Sequence, residues 1–306
     1  MKTFLALSLT AGLLLVVTGC SRITSRDEEE IRAELETSDY TDESHAGATD
    51  DGTNQPKGLF FDSGSDLLGE TLPWVRFVRK IDRPVTRQIV IDIPAYPGYP
   101  ETTARATITA HPTGFFYVDN DRNSHIVLKR TINDQAVRKV YLTKHDGHWF
   151  VRRMTPFNMS PADAPYPIDI ASVRCEARPS GLNYEYTSAD SMMSKRDLPA
   201  FLPGDTVKVT VRIAIEGDSG WTFLHRGRKT RPHGIREPFF RDSLNVFERE
   251  WVIADDTFPN VPAVRPVAID VIGGQTLFSR DSLAPYNCRV WTFPYVVVPT
   301  PDAVRP

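Results

Sequence analysis

Ser219 sits in the run Gly217-Asp218-Ser219-Gly220, a tight turn of the kind on which a nucleophile can be exposed. A serine hydroxyl attacks only when a base takes its proton and a carboxylate holds that base in the right tautomer. Thr109-Ala110-His111 and Asp169-Ile170-Ala171 carry a histidine and an aspartate, the residue types those roles need. Chain order alone does not bring the three together. Ser219 also falls between two strand patterns, where Gly-Asp-Ser-Gly is ordinary turn chemistry. The turn is the preferred reading, and a serine hydrolase using Ser219, His111 and Asp169 is the alternative.

A second constellation is electrostatic. His225, Arg226, Arg228, Lys229, Arg231, His233 and Arg236 lie within twelve residues, and no acid appears until Glu237. A concentrated positive patch attracts anions and steers their approach, and the guanidinium fork suits phosphate or carboxylate. Arg226, Arg228, Lys229, Arg231 and Arg236 are therefore candidate anion-binding residues of a loop over 225–236. The plainer reading is a solvated hairpin loop. Asp119, Asp121 and Asn123 are spaced like the start of a calcium-binding loop, but Ser124 and Arg130 stand where that loop needs glycine and glutamate. A turn is expected there. His145 and His148 flank Asp146-Gly147 without an evident third ligand. There is no P-loop, no nucleotide-binding glycine fingerprint after a strand and no HExxH, so no cofactor or metal is expected.

The Gly-Asp-Ser-Gly run resembles the nucleophile loop of chymotrypsin-type serine proteases, which implies the order His111, Asp169, Ser219. Trp221 replaces the second glycine of that loop, and Pro112 replaces the cysteine after the histidine.

The first twenty residues carry an address. Lys2 precedes an apolar run from Phe4 to Val17, and Val17-Thr18-Gly19-Cys20 follows. The run is about fourteen residues, short of the roughly twenty needed to span a bilayer. The quartet resembles the lipobox of bacterial lipoproteins, which implies cleavage of residues 1–19 and lipidation of the Cys20 thiol. Ser21 after it implies the outer membrane by the enterobacterial sorting pattern. The expected location is the cell envelope, anchored in that membrane, with the periplasmic and surface faces both open.

Removing 1–19 leaves 287 residues and moves the formal net charge from −3 to −4, so no global field favours nucleic acid. With 41% hydrophobic residues the chain can build a core, and 24 prolines with little helical periodicity favour strands. Residues 20–58 read as an acidic flexible tether, with a short helix over Glu28–Glu36 that has no apolar face to dock it. Residues 59–160 read as a small α+β domain. Trp74, Phe77, Val78 and Ile81 have helical spacing after Pro73, and strands are expected over 87–93, 103–110, 114–118, 125–132, 137–144 and 148–153. The last two meet at Asp146-Gly147, a strong hairpin signal. Pro156, Pro161, Pro165 and Pro167 mark a junction.

Residues 168–298 read as all-β, with strands over 168–176, 206–215, 221–224, 246–253, 267–272 and 289–298 and a tail over 299–306. The segment from Phe201 through Pro203-Gly204-Asp205 to Val211 resembles the second strand of bacterial immunoglobulin-like domains, which implies a sandwich. In that layout Cys175 ends the first strand and Cys288 begins the last. With Cys20 lipidated, they are an even pair in an exported protein, so a disulfide is expected, contributing about 4–5 kcal/mol. Two buried free thiols are the alternative. The expected whole is mostly β: a small α+β antiparallel-sheet domain followed by an immunoglobulin-like β-sandwich. Its expected role is non-enzymatic binding or scaffolding in the envelope. The membrane is a partner through the lipid, and an anionic glycolipid, glycan or envelope protein is a partner through the basic loop. A purely structural spacer is a further alternative.

Overall fold

Residues that alternate apolar and polar side chains form most of the chain, and in the computed structural model they pair as strands, nearly all antiparallel. The structure describes residues 21–41, 72–94, 102–121, 123–124, 126–228, 231–254 and 261–300; side chains are described outside 21–25 and 226–235. In chain order the elements are α1 (Ser21–Thr37), β1 (Arg76–Ile81), β2 (Thr86–Asp92), β3 (Thr103–His111), β4 (Thr113–Asp119), β5 (Leu128–His145), β6 (His148–Met154), β7 (Phe157–Pro161), β8 (Ile168–Arg178) and β9 (Asn183–Tyr186). There follow β10 (Met193–Ser194), β11 (Ala200–Phe201), β12 (Thr206–Ile215), β13 (Gly220–Arg228), β14 (Arg231–Pro238), β15 (Phe240–Ser243), β16 (Val246–Val252), β17 (Ala263–Gly273), α2 (Gly274–Phe278) and β18 (Cys288–Val297).

Two sheets result, so the mostly-β antiparallel architecture holds. Five strands run in the order β15-β16-β12-β8-β9. The other thirteen form one curled sheet whose main path is β1-β4-β5-β7-β18-β17-β13-β14. The sheets pack face to face through aromatic pairs: Trp221 against Phe247, and Trp251 against both Phe201 and Tyr295. Pairing of β7 with β18 (Val290 opposite Met159) carries the large sheet across the proline-rich junction. The buried apolar residues on both sides of it form one core.

The expected helix over 74–81 is instead strand β1. Phe77, Arg79 and Ile81 are its buried positions, and it pairs residue for residue with β4. Phe77 and Ile81 satisfy both periods; what decides for a strand is that Arg79 faces inward. Strands expected over 125–132 and 137–144 are likewise one strand, β5, with Asp134 inward between them. The Asp146-Gly147 hairpin is present, with both residues at positive φ (50° and 83°), the conformation a two-residue hairpin turn requires.

The segment from 21 to 37 is a docked helix rather than a free spacer. Asp27, Ile31 and Leu35, each four residues apart, are buried along one face. The Asp27 carboxylate accepts from Lys144 Nζ (2.6 Å) and Trp149 Nε1 (3.0 Å), and Glu34 accepts from the Val151 amide (3.2 Å). A docking face therefore exists with only two apolar residues, because a paired carboxylate supplies the third contact. The remainder of the expected tether, 42–58, lies outside the described residues, as do the leader with Cys20 and the tail from 301 to 306.

The expected disulfide is absent: Cys175 and Cys288 are buried free thiols. Cys175 on β8 lies in the five-stranded sheet and Cys288 on β18 in the large one, so the two strands are not ladder neighbours. Burial pushes the Cys175 thiol up to about 12, and Cys288 Sγ accepts from the Tyr286 hydroxyl at 3.0 Å.

Candidate functional site

Ser219, His111 and Asp169 occupy three separate settings, and among the described residues no hydrogen bond joins them. His111 ends β3 opposite Thr86. Asp169 on β8 takes the Arg289 guanidinium at 3.3 Å. Ser219 accepts the Gly274 amide on its backbone carbonyl (2.6 Å), and a Cβ placed on Gly274 would come within 2.2 Å of its hydroxyl oxygen. The hydroxyl is thus pressed against the start of α2. Asp218, beside it, accepts from the Tyr166 hydroxyl and from the Gln275 amide (3.0 Å). Burial, then the bond to Asp218, raises the Tyr166 pKa. Gly217-Asp218-Ser219-Gly220 is a structural turn that receives α2.

The apparent calcium loop has a structural role of the same kind. Asp119 and Asp121 each accept a backbone amide two residues on, and Asp121 pairs with Arg280 at 3.2 Å. Arg130 is buried and forks onto the carbonyls of Gln275, Thr276, Ser279, Asp281 and Ala284, satisfying the end of α2 and the loop after it. Burial is the main influence lowering its pKa. His145 and His148 face each other at the exposed β5–β6 turn. Among the described residues no group of three or more His, Cys, Asp or Glu could hold a metal ion.

The basic loop is a β-hairpin. β13 and β14 pair with Leu224 opposite Glu237, Arg226 opposite Ile235 and Arg228 opposite Arg231, with a register shift between Arg226 and Arg228. β14 ends the main path of the large sheet. Lys229 lies outside the described residues, as do the side chains of Arg226, Arg228 and Arg231. Arg236 is the exception to the expected anion-binding set. It is only 8% exposed, pairs with Asp270 at 3.1 Å and stacks over Phe77 at 5.2 Å. Its charge is directed into the core and is not offered to a ligand.

What the sequence reading missed is the ionic cluster Arg236 belongs to. Asp270 on β17 receives both Arg236 from β14 and Arg79 from β1 (3.3 Å), and Arg79 and Asp270 are completely buried. Arg79 also lies over the Tyr286 ring at 5.7 Å. β1 and β14 are the two ends of the main path, so these pairs, with Phe77 edge-on to Phe223, hold the curled sheet together where the strand ladder does not. Asp134 on β5 completes the cluster. Among the described residues neither of its oxygens meets the distance and angle of a hydrogen bond; the Tyr286 hydroxyl, which donates to Cys288 Sγ, lies close enough to favour the charged form. Burial lifts the Asp134 pKa to about 7, against the attraction of Arg79. A signal was present: along β5 the inward positions Arg130, Ile132, Asp134, Ala136, Arg138 and Val140 interleave charges with apolar residues at period two.

Comparison with known proteins gives no match: no protein family fits the chain, and neither a curated protein nor a solved structure is significantly similar to it.

Proposed function

We propose that the protein is a lipid-anchored component of the bacterial cell envelope, held in the outer membrane through Cys20, whose β13–β14 hairpin binds an anionic envelope component without catalysing a reaction. The observation that carries this reading is the hairpin register. Arg228 stands opposite Arg231 where the two strands end, with Arg226 on the same strand and Lys229 next in sequence. Like charges set opposite each other across strands are destabilising, and a phosphate or carboxylate between them relieves that cost. Among the described residues, two acids of the neighbouring strands are engaged: Glu237 pairs with Arg249 of the facing sheet, and Asp270 is taken by Arg79 and Arg236. Phosphorylated glycolipid, acidic glycan and an acidic envelope protein share the chemistry the hairpin would recognise.

The test is photo-crosslinked capture from native envelopes, using the lipidated protein beside R226S/R228S/K229S/R231S. Capture of one component by the wild type and its loss in the variant is the expected result. Equal capture by both would remove the hairpin from recognition. Anchoring is checked in the same cells. Cys20→Ser should leave uncleaved precursor and abolish fatty-acid labelling, and cleavage and labelling that persist would refute the anchor.

A further inference from the structure

We infer that the folded body rests directly on the bilayer, with the β5–β6 hairpin turned toward the lipid head groups. This rests on the proposed lipid anchor at Cys20. Chain length decides it. α1 begins at Ser21, the residue after the anchor position, and is fixed to the body by Asp27 through Lys144 and Trp149. At a rise of 1.5 Å per residue, the helix from Ser21 to Asp27 spans about 9 Å. A flexible spacer of about 38 residues would have allowed a root-mean-square reach of about 35 Å. One further turn and two turns along the helix, Ile31 and Leu35 are buried, so α1 is a fixed strut rather than a swinging arm.

The strut meets the body at one end of β5. Lys144 immediately precedes the turn His145-Asp146-Gly147-His148, and His145 and Asp146 are 71% and 85% exposed. Arg26 on α1, which pairs with Glu30 at 3.1 Å, and Phe150 on β6 are exposed near the same end, and His145 pairs with Asp146 at 3.3 Å. Arginine, imidazole and an aromatic ring are side chains that an interface with anionic head groups accommodates. The far end of β5 is held by Arg130 to the loop that follows α2, where Leu283 is 87% exposed. β5 has eighteen residues, about 60 Å if straight at roughly 3.3 Å per residue.

Single labels at Asp146→Cys and Leu283→Cys test this by energy transfer to head-group-labelled lipid. The full lipidated chain is used, in vesicles containing about a third anionic lipid. Cys175 and Cys288 are buried and stay unlabelled. Transfer at position 146 should exceed that at 283 at least threefold. Inserting a twenty-residue Gly/Ser segment between Cys20 and Ser21 should reduce that ratio toward one. Equal transfer at both positions in the uninterrupted lipidated chain, or more at 283, would overturn the inference while leaving the anchor intact. Failure of Cys20 to acquire lipid in cells would overturn the anchor and this inference together. The two failures are therefore read separately.

Discussion

Arg79 and Asp270, 191 positions apart in the chain, are ion-paired at 3.3 Å with both side chains completely excluded from water. Two charges removed from water stabilise a fold only when geometry and additional partners offset their desolvation. Here Arg236 adds a second cation to Asp270, and β1, β17 and β14 meet at one carboxylate. The pair serves closure of the curled sheet, and its energetics set the first predictions.

Arg236 and its hairpin neighbours should separate cleanly. Arg236→Ala breaks a buried pair and is expected to cost about 3 kcal/mol, or roughly 5–10 °C in the melting temperature. R226S/R228S/K229S/R231S should shift it by less than about 2 °C. Thermal melts followed by circular dichroism check both, and an unfolding penalty of the same size in both proteins would contradict the assignment of Arg236 to the core.

Asp134 predicts an unusual pH dependence. Its folded pKa lies near 7, above the 3.8 of an ordinary aspartate, so the folded state binds the proton more tightly. The resulting stabilisation is fully present below pH 3.8 and is lost as pH rises through 7. The span corresponds to at most about 4 kcal/mol. Asp134→Asn should flatten that part of the stability profile and melt higher relative to wild type at pH 8 than at pH 5. A variant whose profile keeps the wild-type slope between pH 4 and 7 would refute the role of Asp134.

Arg130 is expected to act locally. Arg130→Ala strips partners from several carbonyls after α2, and amide exchange across 275–284 should accelerate on the order of 100-fold. Arg130→Lys should not rescue it, because one ammonium cannot reproduce a planar fork. Rescue by lysine would show that charge alone suffices there.

The two thiols should be inert in the native protein. Alkylating reagents are expected to modify neither Cys175 nor Cys288 before unfolding and both afterwards, and reductant should not change the melting temperature. A loss of two mass units in protein isolated from an oxidising compartment would reinstate the disulfide.

Much of the fold was legible because period-two alternation is a strong signal. The strand over 206–215 and the mostly-β second half, with the short α2 inside it, follow from it directly, and the Asp146-Gly147 hairpin follows from its turn residues. Two of the missed elements fell where a charged residue faces inward. Arg79 hid β1 behind a helical spacing, and Asp134 split β5 in two, because an inward charge reads as a loop until its partner is known. α1 failed for a related reason: Asp27 completes its docking face only through Lys144 and Trp149, more than a hundred residues away. Within the basic loop, sequence could not separate Arg236 from its neighbours. Strand pairing sets it opposite the buried His225 and within ion-pair reach of Asp270, a relationship that exists only once β13, β14 and β17 are paired.

The measurement that tests the central claim most directly is capture from native envelopes at graded salt. The lipidated wild type should capture an anionic component that is released steeply as ionic strength rises, while R226S/R228S/K229S/R231S captures little at any salt. Capture that is insensitive to salt, or equal for the two proteins, would contradict recognition through the hairpin.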